Sequence, residues 1–415
     1  MFDPYADFVT TVLPNGLTIH ALHLPNRPQS FSAFVHNGGK HDPDGKEGLA
    51  HFVEHMITKN APLEYHELRD YFLDFGGDIN SGTTSFFATW FGFKLPAKTD
   101  IVAGGLSLFG RMMLSGQLVN NVERERAVIL GEYRKSNPVE ELTYIDMRAR
   151  HIMYPHHWYS RVRSPLGSIA SIEGFTQQDL QAFYDRCYVP ANMEVVTTGG
   201  LMQEEILLLI NRSPFNLSKA GIRNEDIPVP VAFGPLVQTF DRVNISEFVK
   251  GRNASMFHST GKIPITVSKN SVKVFSDILD EVLNVEVRQK RAWTYSIGTR
   301  LNKMDSFHEF EINCPSLALE ASGGIRSVVS KCIELAASNF ELFEKMRRRG
   351  TTKFLVADPS AEEINSNTTQ DLIKWGRILT DQEDCDALQR LTPQDMRDVA
   401  DALSESNRYT MIIEH

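Results

Sequence analysis

Residues 48–60 of the chain read GLAHFVEHMITKN, and the fold depends on the pentapeptide HFVEH at 51–55. The apolar residues of this stretch recur with the period of an amphipathic helix, which predicts a helix with one face against a core. In such a helix His51 and His55 lie one turn apart on a common face, where two imidazoles can bind one Zn²⁺. The alternative is a pair of surface histidines beside a charged Glu54.

A third ligand is expected downstream, because a catalytic zinc site has three protein ligands and one open position. The order H-x-x-E-H is one of the signatures of zinc peptidases. Residues 121–136, NVERERAVILGEYRKS, predict a charged helix in which Glu125 and Glu132 are two turns apart and share a face. Glu132 is therefore a candidate ligand, and Glu125 can orient a histidine N–H from behind it. The alternative for this helix is a solvated, charged face.

Length and composition limit the class of protein. A chain of 415 residues, 42% hydrophobic and 23% charged, is long enough for two soluble domains with cores of their own. The net charge of −9 argues against nucleic-acid binding. The four cysteines are scattered without a C-x-x-C pair, which favours reduced thiols and a cytoplasmic location. The first residues are acidic and lack a continuous apolar run, so no secretory signal is expected, and without a run of about 18 apolar residues no membrane span is expected either.

The order of the predicted elements indicates an internal duplication. A hairpin around Asn15-Gly16 is followed, over residues 31–117, by a strand, a helix, a strand pair and a second helix. The same order returns after residue 238, without a His pair in the equivalent helix. The sequence therefore predicts an α+β fold of two homologous domains, each a mostly antiparallel sheet with helices on one face, which face one another across a cleft. The predicted domains are 1–213 and 238–415, with a proline-rich linker at 214–237.

These motifs together resemble those of the pitrilysin-type inverzincin metallopeptidases, a family that includes insulysin, the mitochondrial processing peptidase and small bacterial relatives. The resemblance rests first on H-x-x-E-H, on the downstream glutamate and on the glutamate seven residues before that one. Further similar segments are LPNGLTIHAL at 13–22, ERERAVILGE at 123–132, the segment at 165–200, and VRQKRAWTYSIGTR at 287–300. The resemblance extends over essentially the whole chain. The members that the chain resembles are small two-domain subunits, such as the bacterial relatives of the mitochondrial processing peptidase.

The resemblance implies a role for each residue of the motif. His51, His55 and Glu132 would bind one zinc ion per chain. Glu125 would lie behind these ligands and orient one of them. Glu54 would be the general base that acts on a zinc-activated water. The implied function is that of a zinc-dependent endopeptidase that cleaves peptides or short unfolded precursors.

Two further groups follow from the same resemblance. An edge strand would bind the extended substrate, and its residues are Asn80, Ser81, Gly82 and Thr83. The alternative for these four is an ordinary strand. In the second domain Arg288 and Tyr295 would lie across the cleft from the metal and hold a substrate carbonyl or the oxyanion. The alternative is a surface arginine and a half-buried strand tyrosine.

One chain carries both the zinc ligands and the Arg–Tyr pair, so a self-sufficient subunit that forms a homodimer is expected. A heterodimer with a related subunit is the alternative. The competing function is that of a non-catalytic peptide-binding or assembly subunit, or of a subunit that is active only with a partner chain. Adjacent His156 and His157 are expected to be structural, because neighbouring side chains point apart on most backbones.

Overall fold

The computed structural model of the chain describes residues 3–59, 65–118, 120–136, 140–224, 228–244 and 255–414. These residues form two β-sheets, one from each half of the chain, and the helices that cover them. None of the described helices is long and apolar enough to cross a membrane. The described stretches between Asn216 and Phe240 contain no helix or strand, and the domain boundaries at 213 and 238 stay a prediction.

The elements follow the order that the sequence predicts. The strands are β1 (Val9–Val12), β2 (Thr18–His23), β3 (Gln29–Val35), β4 (Asp78–Thr84), β5 (Thr89–Leu95), β6 (Met193–Gly199), β7 (Phe240–Asn244), β8 (Ser255–Pro264), β9 (Gly298–Lys303), β10 (Phe307–Leu317) and β11 (Arg408–Glu414). The helices of the first half are α1 (Leu49–Lys59), α2 (Tyr65–Asp74), α3 (Thr99–Leu114), α4 (Val122–Ser136), α5 (Glu140–Met153), α6 (Ile169–Gly174), α7 (Gln177–Cys187) and α8 (Gln203–Asn211). Those of the second half are α9 (Lys269–Leu283), α10 (Ile325–Ser338), α11 (Phe340–Val356), α12 (Ala361–Trp375), α13 (Asp381–Arg390) and α14 (Pro393–Ala402).

The two sheets share one topology. The strand order is β1-β2-β6-β3-β5-β4 in the first sheet and β7-β11-β8-β10-β9 in the second, so every strand of the second sheet has a counterpart in the first. In each sheet one pair is parallel, β2 with β6 and β7 with β11, and the other pairs are antiparallel. The predicted α+β fold of two homologous, mostly antiparallel sheets is therefore confirmed. Helix α9 follows β8 as α1 follows β3, which makes α9 the counterpart of α1.

The predicted hairpin at the start of the chain is present. Strands β1 and β2 pair antiparallel, and the backbone N–H of Leu17 donates to the Asn15 side chain at 3.2 Å within the turn. Gly16 has φ +87°, and a Cβ there would lie 2.8 Å from the Cβ of Ala191. The turn therefore requires glycine for both its backbone conformation and its space.

The apolar face of α1 fixes this helix against the first sheet. Phe52, Val53 and Met56 are fully buried, in a core that includes the stacked rings of Phe31 and Phe93, 5.0 Å apart. Burial of one such side chain contributes about 1.5–3 kcal/mol. The helix therefore has a defined position relative to its neighbours, which include the edge strand β4 and helix α4.

One helix from each half of the chain packs on the sheet of the other half. Helix α12 of the second half lies on β3 and β6, where Asn365 donates to the Val196 carbonyl at 2.8 Å and accepts from the Ser32 hydroxyl at 2.5 Å. Helix α5 of the first half lies on β8 and β11. The helices that the sequence predicts on one face of each sheet are thus joined, on the opposite face, by a helix from the other half.

A buried carboxyl group also joins the two halves. Tyr154 and Tyr159 of the first half donate to the two oxygens of Glu309 on β10, both at 2.9 Å. Burial, with the nearby Glu311, raises the pKa of Glu309. His157 has the structural role that was predicted, since its buried ring hydrogen-bonds to Asp305, in the turn between β9 and β10, at 3.0 Å.

Candidate metal centre

The start of helix α1 is held by a buried carboxyl group. Asp42 accepts hydrogen bonds from the backbone N–H groups of Gly48 at 2.7 Å and Ala50 at 2.9 Å, which would otherwise lack partners at a helix N-terminus. Burial raises the pKa of Asp42 to about 7, although these hydrogen bonds act in the opposite direction. Gly48 has φ +96°, and a Cβ there would lie 2.6 Å from the carbonyl oxygen of Leu166. The loop before α1 is therefore tightly folded and fixes the helix start.

His51, His55 and Glu132 converge at the surface between α1 and α4. The Oε2 atom of Glu132 is 3.7 Å from Nε2 of His51 and 3.5 Å from Nε2 of His55. Ligands about 2.0–2.2 Å from a tetrahedral zinc lie about 3.4 Å from one another, so these separations fit the ion. Within the described ranges this is the one group of three His, Cys, Asp or Glu side chains whose ligand atoms lie within 4.8 Å of one another.

The electrostatics of the three residues also suit a divalent cation. Burial, together with the charge of the neighbouring His55, lowers the pKa of His51 to about 4, so the ring is neutral as a metal ligand must be. Burial also lowers the pKa of His55, but hydrogen bonds to Glu125 and Glu132 outweigh it and raise the value to about 9. A proton on His55 and a metal ion therefore compete for the same pair of carboxylates.

Glu125 lies where a residue that orients a ligand is expected. Its buried carboxylate is 3.5 Å from Nδ1 of His55, the ring nitrogen that faces away from Glu132. Such a carboxylate fixes the tautomer and the orientation of a metal-binding imidazole. The corresponding Nδ1 of His51 is buried and has no hydrogen-bond partner among the described residues.

Glu54 contacts the edge strand β4. Its buried carboxylate accepts a hydrogen bond of 2.6 Å from the Thr84 hydroxyl. Burial raises the pKa of Glu54 to about 7, against the effect of this bond. Thr84 is in turn 3.1 Å from the hydroxyl of Thr89, which donates to the carbonyl of Asn37 at 2.9 Å. The Glu54 side chain is therefore held by a chain of hydrogen bonds that crosses the sheet.

The predicted substrate strand lies at the edge of the first sheet, beside Glu54. Strand β4 pairs with β5 on one side and ends the strand order on the other, with a bulge between Asn80 and Thr83. Gly82, within that bulge, has φ +130°, and a Cβ there would lie 2.6 Å from Cγ of Glu54. Only glycine allows the strand to approach the carboxylate this closely. The side chain of Ser81 lies outside the described part of the structure.

Arg288 and Tyr295 are brought together after the C-terminal end of α9. Arg288 lies in a π-helical turn, Asn284–Gln289, that continues α9, and its guanidinium carbon is 4.9 Å from the centre of the Tyr295 ring. Tyr295 is 82% exposed and precedes β9, so it is not a half-buried strand residue. In the described part of the chain, neither residue hydrogen-bonds or forms an ion pair with His51, His55 or Glu132.

Two residues of the site were not predicted from the sequence. Thr84 binds Glu54, and Asp42 holds the start of α1. Thr84 follows a bulge, which changes the face on which its side chain lies and hides it from a simple alternation pattern. Asp42 lies several residues before α1, beyond the position at which a capping residue is usually sought.

Comparison with protein families gives matches in both halves of the chain. Residues 21–161 match the model for the insulinase family of peptidases, M16. Residues 174–349 match the model described as the inactive domain of peptidase M16. The second match includes α9, the counterpart of α1, which carries no histidine.

Curated proteins and solved structures similar to the chain are described as proteases. The zinc protease PqqE of Helicobacter pylori is 23% identical over 372 residues, which are 83% of this chain and 76% of that protein. Several mycobacterial relatives, described as uncharacterized zinc proteases, match over 48% of this chain and 44–45% of their own length.

Among solved structures, a protease from Helicobacter pylori has a TM-score of 0.79 at 19% identity and covers 98% of this chain and 99% of that one. The first half of the periplasmic protease PqqL from Escherichia coli has a TM-score of 0.78 at 18% identity, over 98% of this chain and 92% of that one. At these identities the likeness to solved structures concerns the fold.

Proposed function

Because the chain belongs to the insulinase family of peptidases, M16, we propose that it is a zinc-dependent endopeptidase that cleaves peptides or short unfolded precursors. The observation that carries the proposal is the spacing of the three ligand atoms. His51, His55 and Glu132 offer two imidazole nitrogens and one carboxylate oxygen within 4.8 Å of one another, and the two distances to Glu132, 3.7 and 3.5 Å, fit a tetrahedral zinc.

The residues around the cluster have complementary roles in the proposed reaction. Zinc held by these ligands would supply a Lewis acid, which lowers the pKa of a water molecule and polarises the scissile carbonyl. Glu54 would accept a proton from the attacking water and pass it to the leaving amine. The hydrogen bond from Thr84 keeps the Glu54 carboxylate in place for this transfer. Glu125 orients His55 from behind.

The substrate is proposed to bind as an additional strand on the free edge of β4. Strand addition recognises the backbone of any extended peptide, because the hydrogen bonds are made by main-chain groups. Asn80, Gly82 and Thr83 lie on this strand, and Gly82 brings it against Glu54. Most of the backbone of a folded protein is already hydrogen-bonded internally, so short or unfolded chains are the proposed substrates.

The test is a comparison of the wild-type chain with Glu54→Gln. Wild-type protein is expected to contain about one zinc ion per chain and to cleave extended peptides, with the activity lost after treatment with a chelator. Glu54→Gln should retain zinc and lose at least about 100-fold in kcat, because general acid–base catalysis contributes a factor of about 10²–10⁴. Glu320→Gln, which replaces an exposed glutamate in the second half, is the control with unchanged activity. Cleavage that survives Glu54→Gln would contradict the proposal.

A homodimer and a cytoplasmic location are proposed on separate grounds. Arg288 and Tyr295 are exposed, and in the described part of the chain they form no hydrogen bond or ion pair with the zinc ligands of their own chain, which is expected if a second copy receives them. The four cysteines are free and buried, as in a reducing compartment. The similar PqqL structure is described as periplasmic, so the location of this chain needs a direct measurement, such as fractionation of cells that express it.

A further inference from the structure

A polar cavity lies on the face of the first sheet opposite α1. It has a volume of about 190 Å³ and is bounded by β3, β5 and β4 below and by α12 of the second half above. Ligand pockets for small molecules have about 300–1,000 Å³, so this cavity has room for one side chain rather than for a free ligand. Its residues include Asn80 of the proposed substrate strand, and the inference below therefore rests on the proposed function.

The cavity exists because of a glycine in the middle of the sheet. Ser32, Gly92 and Asn80 are direct neighbours across β3, β5 and β4, and this row lies on the face toward α12. Gly92 contributes no side chain to the row, while Trp90 and Lys94 stand two residues away on either side of it along β5. Along β5, Trp90 and Lys94 therefore form the walls of the gap above Gly92. Across the sheet, the gap extends past Asn80 toward the free edge of β4.

We propose that this cavity is a specificity subsite for a long basic side chain of the peptide substrate. An extended peptide paired with β4 continues the sheet, and every second side chain then lies on the face toward α12. The side chain in the row of Asn80 points along the gap. Neighbouring strands are about 4.8 Å apart, so Gly92 is about 10 Å from the peptide backbone, and only a long side chain reaches the space above it.

The charges and the aromatic wall of the cavity select a cation. Asp78 and Glu362 contribute exposed carboxylates at the side of the cavity, and Lys94 is already paired with Glu362 at 2.6 Å. The Trp90 ring forms another wall and can attract a guanidinium or ammonium group placed over its face. Arginine is favoured over lysine, because its planar group both stacks on an aromatic ring and binds carboxylates through two donors.

The subsite can be tested by peptide binding to zinc-loaded Glu54→Gln protein, which separates recognition from cleavage. The probes are fluorescent extended peptides that differ only in the position of a single arginine, with an all-alanine parent. One position of the arginine is expected to strengthen binding about tenfold relative to the parent. Ser366→Phe, which fills the cavity from the surface of α12, should reduce this ratio to about one.

Asn367→Phe is the matched control, because it adds the same ring to the next residue of α12, outside the cavity, and should leave the ratio near ten. An arginine preference in no position, or one that survives Ser366→Phe, would overturn the subsite. Wild-type protein that cleaves the peptides without such a preference would likewise overturn the subsite and leave the peptidase standing. An arginine preference without cleavage by the wild-type chain would instead overturn the peptidase and leave the subsite.

Discussion

The edge strand β4 approaches helix α1 closely at Gly82. A Cβ at this position would lie 2.6 Å from Cγ and 2.7 Å from Oε1 of Glu54, so Gly82→Ala must displace the carboxylate or the strand. A displacement of about 1 Å in a catalytic group can cost about 100-fold in rate. We expect Gly82→Ala to lower kcat by about that factor while the zinc content, measured by atomic emission, stays near one per chain.

Gly76→Ala is the control for this substitution. Gly76 also has a positive φ, +71°, but a Cβ there would meet no atom within 4 Å. The control therefore carries the backbone strain of alanine in the left-handed region, about 1–2 kcal/mol, without the contact with Glu54. Equal losses of kcat in the two variants would show that strain, and not the position of Glu54, explains the effect.

Ala292 carries backbone strain between Arg288 and Tyr295. Its φ of +51° lies in the left-handed region, which costs a residue with a Cβ about 1–2 kcal/mol. Ala292→Gly is expected to raise the free energy of unfolding by about 1 kcal/mol, as measured by urea denaturation. Ala182→Gly, at an exposed position in the interior of α7, should lower it by a similar amount, about 1 kcal/mol. If Ala292→Gly lowers the free energy of unfolding, the inference that Ala292 is strained is wrong.

At this scale the sequence predicted the residues that a helical period brings together. His51 and His55 share a face of α1, and Glu132 meets them from α4. The period of a helix is regular, so spacing alone is sufficient to bring His51 and His55 together, whereas Glu132 lies on another helix and was a candidate from its charged helix and from the family resemblance. Thr84 could not be found in this way, because the bulge before it breaks the regular alternation of β4.

Among the elements, three strands of the first sheet are joined by one buried carboxylate. Glu194 of β6 is 2.8 Å from Nε2 of His20 on β2 and 2.8 Å from Nε2 of His36 after β3, and 2.7 Å from Arg223. Burial acts to raise the pKa of Glu194. The hydrogen bonds from the two histidines and the charge of Arg223 outweigh it and hold the pKa well below its usual range.

Because the pKa of Glu194 is lowered in the folded chain, the sign of the pH dependence of the free energy of unfolding can be predicted. A carboxylate whose pKa is lower in the folded chain contributes stability above its unfolded pKa of about 4.3, and this contribution is lost as the pH falls through the folded value. Glu194→Gln is therefore expected to lower the free energy of unfolding by about 2 kcal/mol at neutral pH. The difference from wild type should shrink below about pH 4.

The measurement is urea denaturation of both proteins across this pH range, with Glu204→Gln as the control, since Glu204 is exposed at the start of α8. The control should differ little from wild type at any pH, because exposed substitutions change stability by about 0.5 kcal/mol or less. If the difference in free energy of unfolding between Glu194→Gln and wild type stays constant below about pH 4, the predicted link between the Glu194 pKa and stability is wrong.

The arrangement of whole elements was predictable only in part. Strand and helix order followed from the alternation of periods two and 3.6 along the chain. The exchange of α5 and α12 between the two sheets could not be predicted, because an amphipathic pattern shows that a helix has an apolar face and not which sheet covers it. The hydrogen bonds of Asn365 with Ser32 and Val196 illustrate this, since they join residues far apart in the chain.

For the whole molecule, the exchanged helices make the two halves one interlocked body, which carries both the zinc ligands and the Arg288–Tyr295 pair. The first lie between α1 and α4 and the second at the end of α9. If both sets act on one substrate, a symmetric dimer provides the simplest geometry, because each copy then presents its pair to the zinc site of the other.

This arrangement predicts complementation between two inactive variants. Glu54→Gln removes the general base and Arg288→Ala removes the second group, so each homodimer lacks an essential residue at both of its sites. In a mixed dimer, one site combines the intact first half of the Arg288→Ala copy with the intact Arg288 of the Glu54→Gln copy. After the two proteins are unfolded and refolded together in equal amounts, about a quarter of all sites should be active, with cleavage of an extended peptide near that fraction of wild type. Refolding each variant alone is the control, and a mixture no more active than the better single variant would place Arg288 in the same chain as the site it serves, or outside the reaction.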